Sequence, residues 1–153
     1  MAELSNITRS GAAITLGQMT NPVAQNRVRM AVFEMAPVYA ATAAGDTVGT
    51  GLVLAKGTRL LCPCTLSNGA NTAALTLALG LRDAVTKVAV DATAIMAATG
   101  ITAAATAQVS TGTKLTAGQF YTLPQDCEIY GTLAGAAGTA NAAIRAEIPY
   151  MAP

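Results

Sequence analysis

Between residues 72 and 82 the chain alternates with a period of two: Leu75, Leu77, Leu79 and Leu81 stand against Thr72, Ala74, Thr76, Ala78 and Gly80. Side chains on a strand point to opposite faces in turn, so such a segment buries one continuous leucine face when extended. The opposite face is the more informative one. A strand face turned to water normally carries Lys and Glu, whereas this one is a flat row of Thr, Ala and Gly that suits close packing against another surface. Thr72, Ala74, Thr76 and Ala78 are therefore candidate contact residues.

The rest of the chain reads the same way. Val28, Met30, Val32 and Glu34 against Arg29, Ala31, Phe33 and Met35 predict a strand from residue 27 to about residue 39, with Pro37 at an edge or bulge. After a small-residue loop over 40–45, residues 46–54 place Val48, Leu52 and Leu54 on one face. Lys56-Gly57-Thr58 is a turn that predicts antiparallel pairing with the next strand, 59–66, and Asn68-Gly69 within 67–71 is the strongest turn signal in the chain. Residues 126–133, with Cys127, Ile129 and Gly131 opposite Glu128, Tyr130 and Thr132, and residues 141–151 read as two further strands. Residues 91–105 are the one helix candidate, with Asp91 as N-cap, an Ala-rich stretch over 92–98, and Gly100 able to end it. Residues 103–110 suit either strand or loop. With about eight short strands, one short helix and no alternation of strands with helices, the predicted fold is all-β, an antiparallel β-sandwich or jelly roll.

Residues 1–26 show no sustained period and are expected to form an extended N-terminal arm ahead of one sandwich domain over 27–153. Ile7, Ile14, Leu16 and Met19 give the arm something to bury on a neighbouring subunit.

Charged residues make up only 11% of the chain and apolar ones 52%, so the surface must be unusually bare of charge. Either a membrane or neighbouring proteins could cover such a surface. The longest uncharged runs, 35–45 and 92–110, are mostly Ala, Thr and Gly and lack the Leu, Ile and Phe density of a bilayer span, which leaves protein neighbours. A net charge of +1 with scattered Lys and Arg gives nucleic acid little to bind. Glu3, Asn6, Arg9 and Gln18 interrupt any apolar leader, so the expectation is a product of the cytosol.

Catalytic chemistry finds no footing. There is no His, so no triad containing one can be composed, and the acids are dispersed; Asp126 and Glu128 are expected to be solvated carboxylates without a catalytic role. The three cysteines, Cys62, Cys64 and Cys127, are an odd number and read as free thiols, with Cys62 and Cys64 on one face of a strand as small buried hydrophobes whose burial raises the thiol pKa. Zinc held by these cysteines and an acid is the lesser reading. The glycines over 45–51 are explained by a turn, since no Lys-Ser or Lys-Thr follows them as in a phosphate loop. No enzyme activity, cofactor, metal or small-molecule substrate is expected.

One family shares several of these features in order. Val38-Tyr39 precedes Asp46-Thr47-Val48, and Leu52-Val53-Leu54 leads into Lys56-Gly57-Thr58. The leucine strand ends on Gly80-Leu81-Arg82-Asp83, and Glu128-Ile129-Tyr130-Gly131-Thr132-Leu133 precedes residues 143–150. In this pattern residues 27–153 resemble the jelly-roll head decoration, or cement, proteins of tailed bacteriophages. The resemblance implies a homotrimeric cap, made in the cytoplasm of a bacterial host, that binds the major capsid protein on the capsid surface of the virion and reinforces it, the arm reaching neighbouring subunits. The alternatives are a self-assembling shell or tail subunit and a host-attachment binding module, the latter poorly supplied with aromatics for sugar stacking. An ice-binding surface would want a regular Thr-x-Thr spacing that is lacking.

Overall fold

The computed structural model describes residues 28–35, 42–116 and 120–153. The expected arm at 1–26, with Ile7, Ile14, Leu16 and Met19, lies outside the described residues, as does Pro37.

Among the described residues, ten strands form two antiparallel sheets. The first contains β1 (Val28–Met35), β10 (Ile144–Met151), β4 (Cys64–Asn68) and β7 (Ala105–Val109) side by side, with the two-residue strands β3 (Arg59–Leu60) and β8 (Tyr121–Thr122) continuing it beside the end of β10. The second runs β2 (Thr47–Leu54), β9 (Cys127–Ala134), β5 (Thr76–Asp83) and β6 (Ala89–Gly100). With β3 and β4 taken as one interrupted strand and β8 set aside, eight strands remain. Successive strands change sheet at every step except the β5–β6 hairpin, which is the jelly-roll arrangement.

The leucine alternation does what its period requires. Leu75, Leu77, Leu79 and Leu81 are all fully buried and face Phe33, Ile144, Ala146 and Ile148 of the other sheet within one core cluster. Each such side chain contributes roughly 1.5–3 kcal/mol by leaving water. Gly131 matters at one point of this interface: a Cβ there would come within 2.6 Å of the Phe33 ring, so the absent side chain is what lets the ring lie against β9.

Several expectations are corrected. The strand begins at Thr76, not at residue 72. Thr72 and Ala74 lie in the preceding loop, where Ala74 has φ of 67°. Neither Lys56-Gly57-Thr58 nor Asn68-Gly69 closes a hairpin. Each carries the chain from one sheet to the other, and Asn68 instead donates through Nδ2 to the carbonyls of Ile101 (3.1 Å) and Ala103 (2.7 Å), fastening two connections together. The predicted strand 59–66 is broken at Leu61–Pro63, so Cys62 and Cys64 do not share a strand. In β2 the pairing shifts between Gly49 and Val53, four residues of β2 spanning two of β9. That bulge, with Gly51 at φ +71°, leaves Leu52 exposed while Val48 and Leu54 turn inward.

The helix predicted over 91–105 is a strand. Residues 91–100 belong to β6 and 105 begins β7. Ala favours helix, but Ala94, Ile95 and Met96 are consecutive and all buried, which no single helix face accommodates and a bulged strand enclosed on both sides does. Residues 112–115 close the free edge of β6: the Thr113 and Lys114 amides donate to the carbonyls of Thr93 (2.9 Å) and Ala94 (3.1 Å). Asp91 accepts from the Thr93 amide (2.9 Å) and from the Thr113 hydroxyl (2.5 Å), so its capping capacity serves this edge.

Candidate assembly interface

The sandwich has two chemically different ends. At the end called proximal here, Val28 pairs with Met151, Arg59 pairs with both Met151 and Thr122, and in the other sheet Leu54 and Asp83 both pair with Cys127. Residues 55–58 join the two sheets at this level. The Gly57 amide donates to Leu123 O (2.9 Å), the Lys56 amide to Asp126 Oδ1 (2.8 Å), and a Cβ on Gly57 would lie 3.2 Å from the Pro153 side chain. The distal end is set by Met35 opposite Ile144, Ile144 opposite Asn68, and Thr76 opposite Gly100 and Ala134.

All the large hydrophobic side chains that the described residues leave exposed belong to the proximal half. Val28 and Met30 lie at the start of β1, and Leu52 and Val53 lie at the end of β2. Val85, at 87% exposure, and Val88 form the tip of the β5–β6 hairpin, with Val90 just inside β6. Phe120, 58% exposed, leads into β8, and the Arg59 guanidinium lies 5.3 Å from its ring centroid. The distal loops 69–74, 102–104 and 135–143 consist of Ala, Gly, Thr and Asn alone, and the described part of the β1–β2 connection, 42–46, adds Asp46.

The hairpin tip is held in shape by Asp83. Its Oδ1 accepts from the Thr86 amide (2.7 Å), the Val85 amide (2.9 Å) and the Thr86 hydroxyl (2.9 Å), and its Oδ2 from Gln125 Nε2 (2.8 Å). The Thr86 amide above all holds this carboxyl below the usual aspartate range. Val85 is thus presented on a preorganised turn.

Beside the tip lies the only ion cluster with a fully buried member among the described residues. Val53, Glu128, Arg82 and Ala89 form one cross-strand row. Glu128 is 2% exposed, which corrects the expectation of a solvated carboxylate. It binds Arg82 Nε at 3.0 Å, Lys87 Nζ at 2.7 Å and the Gly51 amide at 2.9 Å. These partners, Arg82 first, pull its pKa down to about 2. The β2 bulge supplies the Gly51 amide, and Gly49 beside it leaves the room, because a side chain there would run into Arg82 Nη2 and Glu128 Oε1. Arg82 also lies 5.4 Å from the Tyr130 ring centroid. The cluster ties β2, β5, β9 and the hairpin tip together, and with every carboxylate oxygen engaged by a cation or an amide it is built to hold shape.

Charge is divided between the ends as well. Among the described residues, Arg29, Lys56, Arg59, Arg82, Lys87 and Lys114 accompany Asp83, Asp91, Asp126 and Glu128 in the proximal half, whereas Glu34, Asp46 and Glu147 accompany Arg145 in the other.

Of the residues expected to make contacts, Thr72 and Ala74 are exposed in a distal loop, where Thr72 bonds Thr139 hydroxyl to hydroxyl (3.1 Å), Thr76 is half-buried and bonded to Ala134 O (3.3 Å), and Ala78 is buried. They do not form one exposed face, because β6 bulges over β5: a Cβ on Gly80 would lie 2.6 Å from the Ala92 backbone. Sequence reasoning missed the proximal valines. The available signal was Val85 and Val88 inside Asp83-Ala84-Val85-Thr86-Lys87-Val88, β-branched apolar residues in a turn where polar ones are usual.

Cys62, Cys64 and Cys127 are free. Cys64 and Cys127 are buried, and burial pushes the Cys64 thiol up to about 11 and raises that of Cys127; Cys64 Sγ donates to Val109 O at 3.3 Å. Among the described residues, no three His, Cys, Asp or Glu are grouped so as to hold a metal ion, and no helix is long and apolar enough to cross a membrane. A groove at the distal end, between Met35, Asn68, Ala105 and Arg145, offers little chemistry: Arg145 is engaged by Glu147 (2.8 Å) and Glu34 (3.8 Å), and Ser67 by Thr106 (3.0 Å).

Fold and surface together define an all-β jelly-roll sandwich with exposed large hydrophobic and charged side chains at one end and mostly small residues at the other. Two solved structures contain chains of this fold. One, from the capsid of Ralstonia phage GP4, superposes with a TM-score of 0.62 at 17% identity, over 83% of this chain and 85% of that one. The other, from the capsid asymmetric unit of cyanophage Pam1, gives a TM-score of 0.59 at 18% identity over 100% of this chain and 95% of that one. No family model and no curated protein matches the chain. At these identities the likeness is one of fold.

Proposed function

We propose that this chain is a non-enzymatic structural protein of a phage particle, which binds the outside of the capsid as a decoration or cement protein and reinforces it. The observation that carries the reading is the match in fold, over 83% and 100% of this chain, to chains that belong to phage capsids. The concentration of exposed large apolar side chains at one end of the sandwich supports it, because such a surface gains from burial. In this reading the chain is a homotrimer, its second partner is the major capsid protein, and Ile7, Ile14, Leu16 and Met19 of an N-terminal arm anchor it on neighbouring subunits.

Native mass spectrometry of the purified protein, alone and then with capsids prepared without it, is the test. A discrete trimer that adds to the capsids and raises their rupture temperature is the expected result. Closed shells or tubes formed by the protein alone would replace the reading with that of a shell or tail subunit.

A further inference from the structure

We propose that the proximal end is the docking face and that it seats on an apolar patch with an acidic rim on the outer surface of a protein shell. The inference rests on the reading of the chain as a capsid-binding protein and adds which end docks and on what chemistry.

Three observations converge. Exposed large hydrophobics in the described residues are confined to that end, drawn from both sheets and from separate stretches of chain. A monomer needs no such segregation, because scattered single apolar residues suffice on an ordinary surface. The most exposed of them, Val85, sits on a turn fixed by four hydrogen bonds to Asp83 and braced through the Lys87–Glu128 pair, so little ordering remains to be done on binding.

The charge of the end selects the partner. Among the described residues this half sets Arg29, Lys56, Arg59, Arg82, Lys87 and Lys114 against Asp83, Asp91, Asp126 and Glu128, an excess of two positive charges, with Glu128 itself paired to Arg82 and Lys87. A rim of carboxylates on the partner complements that excess, and a basic one would oppose it. Val28, where β1 begins, lies at this same end.

Co-sedimentation with capsids prepared without the chain tests this. The double variant Val85→Asp/Val88→Asp changes side chains 87% and 65% exposed and leaves the core untouched. Phe120→Ser alters the same end from the other sheet. Ala104→Asp and Ala137→Asp place the same charge at the distal end, where both residues are exposed. The expected result is a loss of capsid affinity of about tenfold or more for the double variant and a clear loss for Phe120→Ser, consistent with apolar anchors. The distal variants should bind within about twofold of the unaltered protein, whose binding should itself weaken several-fold as salt is raised, as for charge-assisted docking. Distal variants that lose binding while proximal ones keep it would overturn the orientation and leave capsid binding standing. Salt-independent binding would remove the acidic rim. Proximal variants that break the homo-oligomer yet bind capsids normally per chain would show that this end packs copies together, which also overturns the inference. Failure of the unaltered protein to bind capsids at all would instead remove the underlying reading.

Discussion

Glu128 shows how one side chain can depend on two residues that have none. Its strand alternates in sequence as though it faced water, yet Gly49 leaves room above it, the Gly51 amide reaches it, and Arg82 and Lys87 neutralise it. Because its folded pKa, about 2, lies below the ordinary 4.5, the stability it contributes is fully present above about pH 4.5 and is lost as pH falls towards 2. A thermal melt series should therefore be flat in this contribution above pH 5 and decline below it, while Glu128→Gln should be less stable at neutral pH by about 2–3 kcal/mol, since Lys87 is half exposed and recovers some hydration, and should lose less on acidification. Gly49→Ala should cost about 1–3 kcal/mol by displacing the same ion pair. Combining the two substitutions should cost less than their sum, because both act on one contact; strict additivity in a denaturant titration would mean that Gly49 serves something else.

At the level of elements, the period of the sequence was a reliable guide where one face of a strand met the core and an unreliable one where the strand was irregular. The strands β1, β5, β9 and β10 were legible because their apolar residues recur every second position. β6 was not, since three buried residues in succession carry no period and Ala-rich composition points to helix; what makes it a strand is pairing with β5 on one side and the edge supplied by residues 112–115 on the other. Turn chemistry was recognised at Lys56–Thr58 and Asn68–Gly69, but which strands a turn joins depends on the sheet that receives the next strand, and local residues do not encode that. The proximal end was invisible for the same reason: its valines, Met30 and Phe120 come from separate stretches of chain that the topology places in the same half of the sandwich. Gly112 offers a test of the edge contact. A Cβ there would meet the carbonyl oxygens of Ala94 and Ile95, so Gly112→Ala should push residues 112–115 away, destabilise the domain by about 1–3 kcal/mol, and speed hydrogen exchange at Thr113 and Lys114 before the rest of the molecule. Unchanged protection at those two amides would mean that the edge tolerates the substitution.

The whole molecule is held by one core that neither sheet can form alone. Leu77 and Leu79 from one sheet and Phe33 and Ile148 from the other belong to a single buried cluster, and nearly every pairing except β5 with β6 joins segments far apart in sequence. Such a topology has to close long loops before burial rewards it, so refolding is expected in the millisecond-to-second range and not faster. It also means that damage on one side is felt on both. Leu79→Ala, which opens a cavity at a fully buried position, should cost about 2–5 kcal/mol. The informative readout is where the loss is felt. If the two sheets unfold as one unit, the slowest-exchanging amides of β9 and those of β10 should lose the same free energy of protection in this variant, although Leu79 is paired only with the sheet that contains β9. A loss confined to β5, β6 and β9 would instead describe two separable layers. A single cooperative unit would also suit the reinforcing role proposed above, because a load applied at the proximal end would reach the distal loops only through a body that does not yield between its sheets.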